Sequence, residues 1–390
     1  MADAMDFAEP EHVTLLRESL RRFVAEEVPR EAARDWDREE VFPREVVAKL
    51  ARLGVMGLTI PEEYGGMGRD IHAAMAVIEE LSKRSLALAV PYIMAACYGG
   101  MNILAAGTEE QKRDLLPRLA RGELFFAYGL TEPDAGADLA SVRTRAERHG
   151  DHIRIEGTKR FCTGAEHADY IYTLVRSDAE APRHANLSLV LVPPDAPGVT
   201  ITRFDAIGMR GPALNEVVFE GVEVPAENLV GGEAGWNQGW SLLAGPALDV
   251  ERLEVAAMAL GIAEAATEDA WHYAGEREQF GRAIAGHQAV RHALANSRTS
   301  LLAARLMLYH AAGLADRDQP CAVETSMAKL FVCETAQDVV LSCQRVLGAY
   351  GLVAGHDMER YARDILLFPI VGGSSDIQKN NIANRLGLGR

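Results

Sequence analysis

Cysteine is scarce in this sequence, and its positions fit neither a metal site nor a disulfide framework. The chain of 390 residues contains five cysteines, and no two of them are spaced as C-x-x-C. Structural zinc sites need closely spaced ligands, and disulfide-rich domains usually contain an even number of cysteines. We therefore expect no metal, reduced thiols and a cytoplasmic protein. The five positions are Cys97, Cys162, Cys321, Cys333 and Cys343.

Several common catalytic motifs are also missing. The sequence contains no H-E-x-x-H, no Walker loop and no G-x-S-x-G, which argues against zinc proteases, P-loop NTPases and serine hydrolases. It also contains no G-x-G-x-x-G after a predicted strand. A dinucleotide, if one binds, would therefore need a site other than a Rossmann fold.

Positive charge is in deficit, with 40 Lys and Arg against 56 Asp and Glu and a formal charge of −16. Binding to nucleic acid or to an anionic membrane surface needs a concentrated cationic patch, so we expect neither as a partner. The first ten residues have neither the basic start nor the apolar core of a secretory signal. We also expect no stretch that approaches the roughly 20 apolar residues of a membrane span.

What the sequence does contain is three segments of different periodicity, which predict an α+β fold. Residues 1–123 show a helical pattern and predict an N-terminal α-helical domain, in which Thr108 and Gln111 have capping-box spacing. Residues 124–235 predict a small β-barrel or sandwich domain. Residues 236–390 predict a C-terminal four-helix bundle. The expected strands are 125–130, 152–156, 170–175, 187–192, 199–204 and 217–224, and the expected long helices are 249–277, 288–314 and 323–347.

A loop follows the first predicted strand, with the sequence Y-G-L-T-E-P-D-A-G-A-D-L at 128–139. A Gly-bearing turn after a strand exposes main-chain N–H groups and a Thr hydroxyl to a ligand. An ordinary β-turn would have similar Pro and Gly content. The loop resembles the Thr-Glu-Pro-x-x-Gly-Ser-Asp loop of the acyl-CoA dehydrogenase family. That resemblance implies FAD as the cofactor and ring contacts from Tyr128, Leu130 and Thr131.

Two further segments resemble motifs of the same family. The segment 157–164, G-T-K-R-F-C-T-G, is similar to Gly-x-Lys-x-Trp-Ile-Thr, so Phe161 and Thr163 are implied flavin contacts, although Phe161 alone could be core packing. The segment 276–281, E-R-E-Q-F-G, followed by Gln288, is similar to E-R-x-x-F-G…Q. It implies that Arg277 reaches the FAD of a neighbouring subunit in a homotetramer. By itself the segment could simply be a helix that ends at Gly281.

The fourth match, V-G-G-S-S-D-I at 371–377, resembles the C-terminal signature Glu-Gly-Thr-Ser-Glu/Gln-Ile, but Gly372 stands where the catalytic Glu is expected. Glu251 resembles the base of the isovaleryl- and long-chain-type branch, where the carboxylate lies on a helix. The pairing of Gly372 with Glu251 predicts a relocated base. Alternatively, Glu251 only favours a helix dipole in the first turn and pairs with Arg252.

The resemblance implies α,β-dehydrogenation of an acyl-CoA, with the α-proton passing to Glu251, the β-hydride to flavin N5 and the electrons onward to an electron-transferring flavoprotein. The Gly372 N–H would stabilise the thioester oxyanion. Two alternatives remain open, an acyl-CoA oxidase on the same scaffold and a non-catalytic partner subunit of a heteromer. Further implied cofactor contacts are Gln279, Phe280, Arg345, Gly348, Ser374 and Asp376, and further implied substrate contacts are Ala137, Arg252, Val371 and Gly373.

Two departures from the family motifs concern FAD affinity. Ala137 replaces the usual Ser of the loop, which removes one hydroxyl contact to a pyrophosphate oxygen. Arg345 stands where relatives often carry Gln. We predict that a charge-assisted contact from Arg345 offsets the missing hydroxyl.

Overall fold

A computed structural model describes residues 8–388. The expectation about a secretory signal falls mainly on the first seven residues, which lie outside this range. The elements, in chain order, are α1 (Glu11–Glu27), α2 (Arg30–Glu39), α3 (Arg44–Ala51), α4 (Ile71–Arg84), α5 (Leu86–Tyr92), a π-helix (Ile93–Met101), α6 (Asn102–Ala106), α7 (Glu109–Ala120), β1 (Phe126–Gly129), β2 (Arg145–His149), β3 (His152–Thr163), β4 (Tyr170–Arg176), β5 (Leu187–Val192), β6 (Val199–Arg203), β7 (Leu214–Pro225), α8 (Gly239–Leu243), α9 (Pro246–Glu276), β8 (Glu278–Gln279), β9 (Arg282–Ala283), α10 (Gln288–Asp316), α11 (Ala322–Leu347), α12 (Asp357–Ile365) and α13 (Ser375–Arg385).

One compact unit is helical and is built from the chain up to Asp37, Asp70–Ala89 and the chain from Asp249 onward. Its long helix α9 is buried on all sides from Arg252 to Thr267. A helix that is apolar all round belongs in the interior of a bundle. Helices α10 and α11 pack against each other, α4 packs against α1 and α10, and α13 packs against α11. Small residues of α9 allow this close packing, since Gly261 lies directly against the Glu79 main chain of α4.

The second unit comprises Arg38–Arg69 and Val90–Leu248 and contains a seven-stranded sheet. The strand order is β1-β4-β2-β3-β7-β6, with β5 also paired to β4. Strand β4 is parallel to β1 and β2, and the other pairs are antiparallel. Strand β5 is buried along its whole length, whereas β7 mostly alternates between buried and less buried residues. This difference places β5 inside the unit and gives β7 a more exposed face.

The longest pairing, between β3 and β7, contains an irregularity that matters for the site. Its register runs from His152↔Pro225 to Thr163↔Leu214 and shifts between Lys159 and Cys162. A β-bulge bends a strand and redirects the side chains beside it. Phe161 lies in this bulge at a φ of +60°.

The α+β class, the long C-terminal helices and the six expected strands are confirmed, as is the Thr108 capping box. Strand β2 was not predicted, because R-A-E-R-H has no apolar alternation beyond Ala146. The strand expected at 152–156 continues to Thr163 through Gly157 and the bulge. The three-part division at 123 and 235 stays a prediction.

The expectation that no stretch reaches membrane-spanning length was wrong. Leu86–Ala106 is continuous helix of 21 residues with a mean hydropathy of 1.4 over its most apolar window. Length and composition alone would allow it to cross a bilayer, but 89% of that window is buried inside the protein. Buried core helices of soluble proteins meet the same criterion.

Candidate active site

Helix α9 places Glu251 in its second turn, because the helix begins at Pro246. The first-turn dipole role considered for Glu251 therefore does not apply. The carboxyl is only partly accessible, and its surroundings on the helix are apolar. Burial raises the pKa of Glu251 to about 7, and the opposing charge of Arg252 is the weaker influence. A carboxyl with a pKa near neutrality suits a general base.

Arg252 does not form the pair with Glu251 that one alternative assigned to it. Its guanidinium donates to the Asp249 carboxylate, one turn earlier on the same helix. The charge of Arg252 still lowers the pKa of Glu251, but burial outweighs it, so the pKa remains raised. Arg252 itself is buried.

Gly372 lies in the loop between α12 and α13, against helix α9. Its φ is +61°, and a Cβ at this position would lie 2.6 Å from Cγ2 of Val255. Val255 is one helical turn beyond Glu251, on the same face of α9. The structure therefore brings Glu251 and Gly372 to neighbouring positions. A carboxylate at residue 372 would need both a strained backbone and the removal of Val255.

The Gly372 loop is held by side chains and leaves the Gly372 N–H available. The Gln378 amide donates to the carbonyls of Gly373 (2.9 Å) and Gly372 (3.3 Å). Within residues 8–388, the Gly372 N–H donates no hydrogen bond. Val371 and Gly373 flank this donor, and Val371 is partly buried.

In the sheet unit, the predicted cofactor loop begins at the end of β1. The Tyr128 ring stacks on Tyr98 with a centroid distance of 3.9 Å, and its hydroxyl accepts a hydrogen bond from Asn102. Leu130 is buried, and Thr131 is partly exposed. Within the described part of the chain, neither the Thr131 hydroxyl nor its main-chain N–H has a protein partner.

A buried ion pair that the sequence motifs did not reveal fixes this loop. Lys159 is fully buried, and its Nζ donates to Glu132 Oε1 (2.8 Å) and to the Leu130 carbonyl (3.1 Å). Glu132 also accepts from the N–H groups of Arg143 and Thr144. Burial opposes ionisation of Glu132, but Lys159 and these hydrogen bonds hold its pKa below the usual value. The available signal was that Glu132 and Lys159 both stand inside the quoted motifs, at 128–139 and 157–164.

The bulge of β3 brings the second motif beside the loop. The Arg160 N–H donates to the Thr131 carbonyl at 2.8 Å, so Thr131 and Phe161 are neighbours. Phe161 is 55% exposed and packs against Phe204. Thr163 follows at the end of the strand, partly exposed. An exposed aromatic ring at positive φ is uncommon, and such strain is concentrated at functional sites.

The third motif does not end at Gly281 as a simple helix terminus. Helix α9 stops at Glu276, and β8 and β9 form a two-residue hairpin with Phe280 and Gly281 at its tip, both at positive φ. Phe280 is 95% exposed. Arg277 precedes the hairpin with its guanidinium over the Tyr350 ring. Gln279 and Gln288 are also exposed.

The other residues that were predicted to contact cofactor or substrate lie at separate places in the structure. Ala137 and Arg345 are exposed, and Gly348 follows the last turn of α11 at positive φ. Ser374 is the N-cap of α13, because its hydroxyl accepts from the Ile377 N–H. Asp376 pairs with the exposed Lys379. The cofactor roles of these residues stay predictions.

The sheet-unit residues fit an isoalloxazine ring, which is a planar aromatic system with a polar edge. Thr131 supplies a free hydroxyl and a free N–H within the described residues, and Phe161 supplies an exposed ring beside them. The ion pair between Lys159 and Glu132 keeps the strand end in place. Among residues 8–388 there is no group of three or more His, Cys, Asp or Glu that could hold a metal ion.

Comparison with known proteins agrees with this reading along the whole chain. Three family profiles, described as the N-terminal, middle and C-terminal domains of acyl-CoA dehydrogenase, match residues 10–123, 127–222 and 237–387. The combined matches leave only short linkers and termini uncovered.

Individual relatives cover nearly the full length. An acyl-CoA dehydrogenase of Bacillus subtilis (strain 168) is 36% identical over 380 residues, which is 96% of this chain and 99% of the relative. The caffeyl-CoA reductase-Etf complex subunit CarC of Acetobacterium woodii is 32% identical over 95% of this chain and 97% of its own. The structure of a glutaryl-coenzyme A dehydrogenase glutaryl-CoA complex superposes with a TM-score of 0.92 at 33% identity, over 98% of this chain and 97% of that chain. The chain therefore belongs to the acyl-CoA dehydrogenase family, a family of FAD-dependent oxidoreductases.

Proposed function

We propose that this acyl-CoA dehydrogenase uses Glu251 as its catalytic base and the Gly372 N–H as an oxyanion donor. The observation that supports this proposal most directly is that Gly372 lies against Val255, one helical turn after Glu251. The Glu251 carboxyl, whose pKa is raised, is therefore close to the free N–H of Gly372. The Gly372 position has no space for a side chain, so the base cannot be there.

The chemistry follows from these two groups. The α C–H of a thioester is a weak acid, and its removal places negative charge on the thioester oxygen. Glu251 accepts the α-proton, while the Gly372 N–H donates a hydrogen bond to the developing oxyanion. Bound FAD supplies the acceptor for the hydride that leaves the β-carbon, so the products are an enoyl-CoA and a reduced cofactor.

A Glu251→Gln variant tests the base. We expect it to retain FAD but to lose reductive bleaching by acyl-CoA thioesters, by at least about 10³-fold, because the amide cannot accept the proton. The assay is anaerobic stopped-flow absorbance with a panel of straight-chain, branched, glutaryl and arylpropionyl thioesters. Glu268→Gln, an exposed change on the same helix, is the matched control. Normal bleaching by Glu251→Gln would overturn the assignment.

We also propose that an electron-transferring flavoprotein reoxidises the enzyme. The support is that the CarC relative is named as a subunit of a complex with Etf. The expected result is rapid reduction of an electron-transferring flavoprotein with little peroxide under air. Stoichiometric peroxide and no such reduction would instead identify an acyl-CoA oxidase.

A homotetramer is the proposed assembly. An aromatic residue that is 95% exposed at a hairpin tip is unusual for a soluble monomer, and Arg277 lies at the base of the same hairpin. Exposed apolar side chains also occur elsewhere on the helical unit, at Trp271, Leu302, Leu352 and Ile370. In the proposed assembly this hairpin reaches the FAD of a neighbouring subunit.

A further inference from the structure

Lys329 is a buried charge that the chemistry described above does not use. It lies on α11, is fully buried, and its neighbours on the same helical face are Thr325, Cys333 and Ala336. Desolvating an ammonium group costs several kcal/mol unless it is paired or hydrogen-bonded. Burial accordingly lowers the pKa of Lys329. A lysine kept at such a position needs a specific partner.

The partner is the main chain that leads into the Gly372 loop. The Lys329 Nζ donates to the Phe368 carbonyl at 2.7 Å, and Phe368 is itself buried. Three residues later the chain turns through Val371 into Gly372. The Lys329 ammonium therefore fixes the start of the segment whose N–H is the oxyanion donor.

Two other side chains hold the rest of this segment. Gln378 of α13 donates to the carbonyls of Gly372 and Gly373, and its side chain is buried. The Ser375 hydroxyl donates to Glu334 of α11 at 2.5 Å. Lys329 and Gln378 thus hold the loop by hydrogen bonds to carbonyls that precede and follow the Gly372 N–H.

We propose that Lys329, together with Gln378, is a positioning residue that aims the Gly372 N–H at the thioester oxyanion. An oxyanion donor is effective only within a narrow range of distance, and the loop glycines at positive φ supply no rigidity of their own. The proposal rests on the oxyanion role of Gly372 given under Proposed function. It assigns to Lys329 a role in the stability of the bound enolate, in addition to any role in folding.

The test measures the acidity of a bound ligand. Acetoacetyl-CoA, whose enolate has its own ultraviolet absorbance, is titrated on the FAD-loaded enzyme between about pH 5 and 9. We expect Lys329→Met and Gln378→Met each to raise the pKa of the bound ligand by about one unit or more, because a displaced N–H stabilises the enolate less. Lys49→Met, at a partly exposed lysine on α3, is the control and leaves this pKa unchanged.

Hydrogen–deuterium exchange of the holoenzyme gives a second readout. Faster exchange confined to peptides that cover 368–374 is expected in both positioning variants. If Lys329→Met does not fold, Gln378→Met alone carries the test. A folded variant with reduced thermal stability but the ligand pKa of the parent would show a merely structural residue and overturn the inference. If the parent enzyme itself does not lower the pKa of acetoacetyl-CoA, the oxyanion role of Gly372 fails instead.

Discussion

At the scale of single residues, the Glu251 carboxyl predicts a pH dependence. Burial raises its pKa from 4.5 to about 7, so the folded state holds the proton more tightly than the unfolded chain. Protonation therefore favours folding, and stability is lost as the pH rises from about 4.5 through about 7. Catalysis needs the ionised form, so kcat/KM rises over the upper part of the same range. Ionisation of Glu251 thus lowers the stability of the fold and is required for activity.

Comparison of the parent enzyme with Glu251→Gln measures how much ionisation of Glu251 lowers the stability. We expect the variant to be the more stable at pH 8, by at most about 3 kcal/mol, and the difference to disappear below about pH 4.5. Thermal melting midpoints across this range, at matched FAD loading, provide the measurement. A difference that does not change with pH would mean that the carboxyl titrates normally.

The contact between Gly372 and Val255 predicts a coupled pair of substitutions. Gly372→Ala should destabilise the protein by about 1–3 kcal/mol, since the new Cβ meets Val255 and the φ is +61°. In a Val255→Ala background the penalty should be smaller, because only the backbone strain remains. A double-mutant cycle of melting midpoints checks the coupling, and strict additivity would contradict it. For the same reason, moving the carboxylate from residue 251 to 372 requires Val255 to be shortened as well.

At the scale of elements, a buried ionic cluster ties α1, α4 and α10 together. Glu79 of α4 accepts hydrogen bonds from Arg17 of α1 (2.9 Å) and from Tyr309 (2.7 Å) and Arg305 of α10. Burial opposes its ionisation, but the charges of Arg305 and Arg17 lower the pKa of Glu79 to about 2. The cluster therefore stays ionised at neutral pH and holds α1 and α10 to α4.

Glu79→Gln should destabilise the helical unit by about 2–3 kcal/mol, because Arg17 and Arg305 lose the buried carboxylate that they share. Arg17 keeps Glu9 and Glu80 as partners and Arg305 keeps Glu264, so the loss is partial. The contribution of Glu79 is present above about pH 4.5 and is lost as the pH falls toward 2, so the variant should show less acid sensitivity than the parent. Glu123→Gln removes an exposed ion pair with Arg121 and should cost less than about 1 kcal/mol. Melting midpoints of the parent and the two variants test this prediction. An equal loss of stability in both variants would contradict it.

At the scale of the whole molecule, the exposed hairpin predicts that assembly and cofactor binding are linked. Phe280→Ser should lower the FAD content of purified protein by about tenfold or more while leaving the fold intact, because the variant would lose the proposed aromatic contact with a neighbouring subunit. Light scattering gives the oligomeric state and flavin absorbance gives the occupancy. Met67→Ser, another exposed apolar residue, is the control. A monomeric parent with full FAD would exclude a contribution from a second subunit.

Much of the fold was readable from local patterns. The α-helices α9, α10 and α11 were predicted within three residues at each end, since long apolar periodicity is a local property of the sequence. Strand β2 was missed because its residues are mostly charged and show no apolar alternation, although it pairs with β3 across a two-residue turn at Gly150 and Asp151. The alternative considered for 276–281, a helix that ends at Gly281, was wrong, because Gly occurs both after helices and at hairpin tips.

The sequence by itself determined the family, the cofactor and the pairing of Glu251 with Gly372, because those signals lie in the order and spacing of short motifs. Only the tertiary structure decided that Arg252 pairs with Asp249 and that Val255 occupies the space beside Gly372. It also decided that Lys159 holds the loop after β1 and that Lys329 holds the segment before Gly372. Except for Arg252 and Asp249, which lie three residues apart on α9, these residues are distant in sequence from the segments that they contact. The physical reason is that desolvation and hydrogen bonding depend on which groups meet after folding, and spacing along the chain does not specify that.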